Sequence, residues 1–285
     1  MSLLPVSIGI TTKNRWQDLK TTLTKIEEFG LEMLPILIID DGSDQPCPFD
    51  LSTFSLNIDL KRFEDSKGLI VRRNQLARSI QTKYYLSLDD DSFPVSGALE
   101  AAITFAELQN NLLCLAFPIY NPVLAEYQSR SQSPEPYQVR FFIGCGHLLH
   151  RAHFLEVGGY REELIHQGEE MEIGARAFQR GLVCYHFPAF EIHHTVSHNN
   201  RSWQRMDFYG ARNNVLWNDW FIPSRFKLIK QSRTFLSRAM LSVKVGRIGQ
   251  IKGELAGFRD ISKYKKYRAT MSIDGFKQWK SLPEK

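Results

Sequence analysis

The chain has 285 residues, 43% hydrophobic and 24% charged, with a formal net charge of +5. That composition excludes a disordered chain and a disulfide-stapled miniature, and it supplies core enough for one large globular domain or two modest ones. Its apolar runs, such as 112–119 and 141–149, have the length of core strands and fall far short of a bilayer span.

In chain order, residues 6–11 form a β-rich apolar run that predicts a first strand. Residues 18–29 place Leu19, Leu23 and Ile26 at helical spacing. A second strand, 35–39, runs into Asp40-Asp41-Gly42-Ser43, and 56–60 predicts a third. Residues 68–80 read as a helix carrying Leu69, Arg72, Arg73 and Leu76 in its first turns. The strand 84–88 feeds three consecutive acids, Asp89-Asp90-Asp91. A helix is expected over 98–109, and a long surface loop with Pro122, Pro134 and Pro136 over 121–138. The run 141–149 holds Gly144 and Gly146, a helix over 169–180 stops at Gly181, and a strand over 182–192 leads to His193-His194. From Phe226 onward apolar and basic residues interleave as one or two amphipathic helices. Alternating strands and helices predict a mostly parallel sheet with helices on both faces.

The net charge hides an asymmetry. Residues 1–200 hold 17 basic and 25 acidic side chains, whereas 201–285 hold 19 and 6. An acidic body suits a bound cation, and a basic tail suits anionic lipid, a phosphorylated acceptor or nucleic acid. Cys47, Cys114, Cys145 and Cys184 form no C-x-x-C pair and read as reduced thiols. No signal peptide is visible, and with the cysteines read as reduced a cytoplasmic setting is expected.

Three like charges at a strand end repel unless a cation neutralises them, and Mg²⁺ or Mn²⁺ among carboxylates typically bridges to phosphate. A solvated acidic turn is the alternative. Asp40-Asp41 also ends a strand, where ligands of such sheets bind; the pair either receives a base or ribose or closes an Asx turn on Gly42. Arg72 and Arg73 grip phosphate bidentately or face solvent. Glu169, Glu170 and Glu172 open a helix as dipole stabilisers, or one of them is a general base. His193 or His194 is a metal or diphosphate ligand, or structural. Cys145 has His147 close by, but no family signature surrounds them, which argues against a cysteine nucleophile.

In order, these residues resemble the inverting nucleotide-sugar glycosyltransferases of family 2, of GT-A fold. The pieces are Thr11-Thr12-Lys13-Asn14-Arg15, Ile39 to Ser43, Gly68 with Arg73-Asn74, and Leu88 to Asp91. Gly144-Cys145-Gly146, Gly158-Gly159-Tyr160, Gly168 to Glu172 and His193-His194 continue the order. The resemblance implies an α/β, Rossmann-like GT-A catalytic domain over 1–215, with a nucleotide-binding half (1–95) and an acceptor half (96–215). A basic helical extension covers 216–285. It implies that Thr11, Asn14, Asp41, Arg73, Asp89 and Asp90 contact nucleotide, and that Asp91, Asp89 and His194 or His193 hold Mn²⁺ or Mg²⁺. Gly144 and Gly146 would border the acceptor, and Glu170 or Glu169 would be the base. Glu170 stands where the family motif has Asp, and Lys13 where it often has an aromatic. The implied partners are a UDP- or dTDP-type sugar donor and a glycan or lipid-linked acceptor, with no nucleic acid. Peripheral contact at the inner face of the plasma membrane would run through the basic tail. A sugar-phosphate nucleotidyltransferase usually carries a Gly-rich loop after its first strand, which 11–16 lacks; a non-catalytic nucleotide-sugar binder would not need the acids at Asp91 and Glu170.

Overall fold

The computed structural model describes residues 4–196, 202–245 and 247–285. Strand β1 (Val6–Thr12) is flanked by β2 (Pro35–Asp40) and by β4 (Tyr84–Asp89), and β3 (Asn57–Arg62) pairs outside β2, all parallel. The helices α1 (Trp16–Glu28) and α2 (Leu69–Ser79) make the crossovers. Beyond β4 the sheet continues through β10 (Gly146–His150), β6 (Leu112–Ala116), β11 (Val183–His186) and β9 (Tyr137–Val139). β10 runs antiparallel to both of its neighbours, so the sheet is mixed about a parallel half.

Side-chain alternation fixes the layers. Val6, Ile8 and Ile10, with Tyr84, Leu86 and Leu88, face one core shared with α1 and α3 (Leu99–Glu107). Tyr85 and Leu149 face a second core with α2, α4 (Arg151–Val157) and α5 (Glu169–Gln179). Gly9 leaves room on that side, because a Cβ there would already touch Ile80 at 3.3 Å. The second core also takes Trp217 and Trp220 of α6 (Trp203–Phe221) and Trp279 of α9 (Ile273–Ser281). Truncating a buried aromatic of this kind costs about 3–5 kcal/mol. From Phe226 onward the described residues form three α-helices, not one or two: α7 (Ser224–Val245), α8 (Ile248–Asp260) and α9. Helix α6 runs across residues 215 and 216.

A second, four-stranded sheet stands apart, in the order β5 (Ser92–Gly97), β12 (Phe190–His194), β7 (Ile119–Asn121), β8 (Glu126–Ser129). It corrects two expectations. Residues 121–138 are not a bare loop, because β8 and the start of β9 lie within them. The expected strand over 182–192 is two strands, broken at Phe187-Pro188-Ala189, so that β11 stays in the large sheet while β12 crosses to the small one. Opposite β12 the ladder slips by one residue at Val95, a β-bulge.

Candidate active site

Strand register assembles the site. Thr12 lies opposite Asp40, and Thr11 opposite Asp89, so both acidic clusters sit at the carboxyl edge of three adjacent parallel strands. That is the edge where open α/β sheets bind ligands.

Asp41 is saturated. Its carboxylate accepts from the amides of Lys67 and Gly68 (2.8 Å each), from Ser66 Oγ (2.7 Å) and from Arg72 Nε (2.6 Å). Although burial alone would raise it, these donors bring its pKa below the usual value. Gly68, at φ 94°, takes the left-handed turn that presents those amides. Asn14, also at positive φ, ties the loop after β1 to the loop after β2, its amide nitrogen donating to Ser43 Oγ at 2.8 Å. Thr11 is buried between them.

The acid triplet divides its labour. Asp90 turns inward, accepting from Thr12 Oγ1 at 2.7 Å and pairing with Arg15 Nη1 at 3.1 Å. Burial raises its pKa well above normal against the pull of Arg15. Asp91 pairs with Arg15 Nη2 and lies 3.2 Å from His194 Nε2, within ion-pair range though not aligned as a hydrogen bond. Asp89, Asp91 and His194 offer one ligand atom each, all within 4.8 Å of one another. Two carboxylate oxygens and an imidazole nitrogen form a donor set suited to Mn²⁺ or Mg²⁺. Burial alone would lower the His194 pKa, but Cys145 and Asp91 outweigh it and raise it to about 11. His194 would serve such a cation as a neutral imidazole, giving up its ring proton. His193 is not brought to this cluster; it points to the opposite face of β12, against Tyr120 at 5.4 Å and Phe93 at 6.1 Å.

Arg73 is the hub. Its Nη2 donates to Asp89 Oδ1 at 2.6 Å and to the Gly144 carbonyl at 3.0 Å, while Nη1 lies 3.4 Å from Glu169 Oε1 and 3.5 Å from Glu170 Oε1. Glu169 is buried, whereas the Glu170 side chain keeps 18% of its surface exposed. Burial raises both carboxyls; beside Glu169, that of Glu170 is pushed up to about 8. Gly144 must lack a Cβ, which would overlap both Glu170 Oε1 and Arg73 Nη1. Gly146 has another neighbour: a Cβ there would meet Ile192 at 2.9 Å, in the packing between the sheets. Cys145 is a buried thiol whose pKa burial raises.

Residues around this centre hold it in shape. Asn74 accepts from the Tyr160 amide at 2.8 Å and donates to the Tyr160 carbonyl at 2.8 Å, joining α2 to the Gly158-Gly159-Tyr160 turn. Glu172 is structural, clamped by Arg161 (2.6 Å) and Arg176 (2.6 Å). The sequence reading gave Arg15 no role and offered Arg72 as gripping phosphate or facing solvent; the fold instead buries Arg72 on Asp41 and pairs Arg15 with Asp90 and Asp91. An open groove of about 550 Å³ beside Phe178 and Trp279 contains none of these groups.

The chain thus carries a Rossmann-like sheet with two acid clusters at one edge, a buried arginine between them and a helix opening on paired glutamates. Residues 7–161, more than half of the sequence, match the family model described as Glycosyl transferase family 2. The chain belongs to glycosyl transferase family 2. Among curated proteins it is similar to the pre-mycofactocin glycosyltransferase of Mycobacterium tuberculosis, with 25% identity over 226 residues, covering 72% of this chain. The match takes in 46% of that protein, so the chain spans about half the length of the curated relatives it matches. Among solved structures it resembles GalNAc-T7 with UDP, GalNAc and Mn²⁺ at TM-score 0.59 and 17% identity, covering 76% of this chain and 48% of that one. It also resembles the mannosyltransferase PcManGT from Pyrobaculum calidifontis, in complex with GDP-Man and Mn²⁺, at TM-score 0.56 and 12% identity, covering 97% and 79%. At these identities the structural likeness establishes the fold.

Proposed function

We propose that this protein is a metal-dependent inverting glycosyltransferase that moves a sugar from a nucleoside-diphosphate donor to an acceptor hydroxyl. The observation that carries the reading is the position of Arg73, whose guanidinium joins Asp89 of the candidate cation triad to the Glu169–Glu170 pair. The group that takes the departing diphosphate and the group that takes the acceptor proton thus sit on either side of one buried charge. That the named structural relatives were solved with UDP or GDP-Man and with Mn²⁺ supports a nucleotide-sugar donor and the same metal class here.

Asp89, Asp91 and His194 would hold Mn²⁺ or Mg²⁺, which when bound neutralises charge on a diphosphate leaving group. Asp41, Thr11 and Asn14 form the side assigned to the nucleoside. Arg73 supplies positive charge at the diphosphate. Glu170 takes the proton of the acceptor hydroxyl; its greater exposure favours it over Glu169, which orients Arg73. The hydroxyl oxygen bonds to the anomeric carbon from the face opposite the leaving group. The bond from that carbon to the diphosphate breaks, its electron pair leaving with the nucleotide. Gly144 borders the acceptor by admitting Arg73 and Glu170 so closely. The acceptor is a glycan or a lipid-linked glycan used in cell-surface polysaccharide or glycolipid synthesis, met at the cytoplasmic face of a membrane.

The test is thermal stabilisation by UDP-, dTDP- and GDP-sugars with and without Mn²⁺, followed by donor hydrolysis and transfer assays. Mn²⁺-dependent stabilisation by a nucleotide sugar, followed by turnover, is the expected result. Stabilisation without turnover on any donor would favour a non-catalytic binder, and indifference to every nucleotide sugar would sink the donor assignment.

A further inference from the structure

Helix α7 turns large apolar side chains away from the protein. Its inner face is already occupied. Phe226 stacks on Phe276 of α9 with ring centroids 6.1 Å apart, and Phe235 meets Phe258 of α8 edge-on at 6.3 Å. Lys227 Nζ donates to the Asp219 carbonyl at 2.6 Å, and Arg238 lies 3.4 Å from Glu254. Leu228, Ile229, Leu236 and Met240 lie on the other side and are 57–75% exposed. At roughly 100° per residue these four fall within one stripe about 120° wide, running roughly 18 Å along the helix.

The charges match the stripe. No acidic residue occurs between 224 and 245. Lys227 and Arg238 are engaged inward, while Arg225, Lys230 and Arg233 are exposed. Although exposed over much of its surface, Lys230 is partly buried near Lys280 and Arg140, and Glu284, paired to Arg140 at 3.0 Å, stands among them. Among the described residues no helix is long and apolar enough to cross a membrane. An apolar stripe flanked by cations, on a helix whose other face is docked, has the chemistry of a segment lying in the plane of a bilayer interface.

We propose that the outward face of α7 docks the protein on an anionic lipid bilayer, with Leu228, Ile229, Leu236 and Met240 inserted and Arg225, Lys230 and Arg233 at the headgroups. This face lies outside the transfer site. It deepens the membrane contact proposed above by assigning it a surface, and it stands or falls separately from the sugar-transfer chemistry.

The experiment is cosedimentation of the full chain with phosphatidylcholine vesicles, with and without phosphatidylglycerol, at low and high salt. Binding to the anionic vesicles that weakens with salt is expected. The Leu228→Ser/Leu236→Ser and Arg225→Gln/Arg233→Gln variants should each lower the partition constant by at least about tenfold at unchanged Tm. Because the second variant replaces only exposed side chains, it decides the matter if the serine variant is unstable. Absence of binding to anionic vesicles, or arginine variants that bind like the parent, would overturn the proposal. So would light scattering that finds a dimer dispersed by the serine substitutions without vesicle binding, which would make the face a contact between copies.

Discussion

Arg73 and Glu170 approach to 3.5 Å across the gap between α2 and α5, and the Arg73 guanidinium is simultaneously 2.6 Å from Asp89. One nearly buried cation thus faces three carboxylates drawn from two elements. Lysine, a point charge on a flexible stem, cannot serve them all. Arg73→Lys is expected to lower kcat/KM for transfer by about a hundredfold or more, and Arg73→Met to lower Tm as well because the acids lose their partner. Steady-state kinetics beside thermal melts read both; wild-type kcat/KM in Arg73→Lys would remove the guanidinium from the mechanism.

The two glutamates are expected to separate by readout. Glu170→Gln should keep donor binding and lose transfer by about two to four orders of magnitude, the range of a positioned base. Glu169→Gln should weaken donor binding along with turnover, because it touches Arg73 from the buried side. Donor titration calorimetry and transfer rates on both variants check this, and a fully active Glu170→Gln would move the base elsewhere.

Metal removal should act through Asp91 and His194. EDTA is expected to abolish the Mn²⁺-dependent part of nucleotide binding, and Asp91→Asn and His194→Ala should each weaken Mn²⁺ binding by about tenfold or more. His193→Ala, on the other face of β12, should leave it unchanged. Calorimetry with Mn²⁺ alone, and with nucleotide, measures the difference. Equal losses at both histidines would contradict the assignment.

The pH dependence follows from the glutamate pair. Burial raises the folded-state pKa of Glu170 from 4.5 to about 8, so between those values the folded protein binds more protons than the unfolded one. Stability from this source is fully present below about pH 4.5 and is lost as pH rises through 8. The nucleotide-free protein should therefore lose Tm across that window, and Glu170→Gln should flatten the loss. Transfer should rise over the same interval as the base deprotonates. A Glu170→Gln melting curve with the parental pH slope would place the raised carboxyl elsewhere.

Gly144→Ala introduces a methyl where Glu170 Oε1 and Arg73 Nη1 lie. The expected result is a loss of about 1–3 kcal/mol in stability, the usual scale of overpacking, and a larger proportional fall in kcat. Denaturant melts and kinetics separate the two effects, and an alanine variant with parental kcat would mean that the guanidinium and carboxylate move aside freely.

The parallel half of the fold was legible because β1, β2 and β4 are apolar runs, the last two ending in acids, and α2 follows its glycine. The small sheet was not. β5 contains Pro94 and opens directly behind three aspartates, and β8 is a short polar strand, Glu126–Ser129. Neither offers alternation against a buried face, and each is held by its pairing with other strands. Among the site residues, the two aspartate clusters, Arg73, Glu169, Glu170 and His194 could be named because each carries its chemistry at an element's end. That Arg15 serves Asp90 and Asp91 while Arg72 serves Asp41 could not be read, because those pairings span 76 and 31 positions of chain. Nor could the choice between His193 and His194, which depends on strand register.

That register is carried by β12 itself, because the residue left over in its ladder with β5, Val95, belongs to β5. Excising Val95 would set Ser96 beside Pro94 and leave Ser92 opposite His194, a regular ladder with neither imidazole turned over. The leftover residue can therefore bend β5, which follows Asp91 directly, without changing which of two adjacent, chemically identical rings faces that acid.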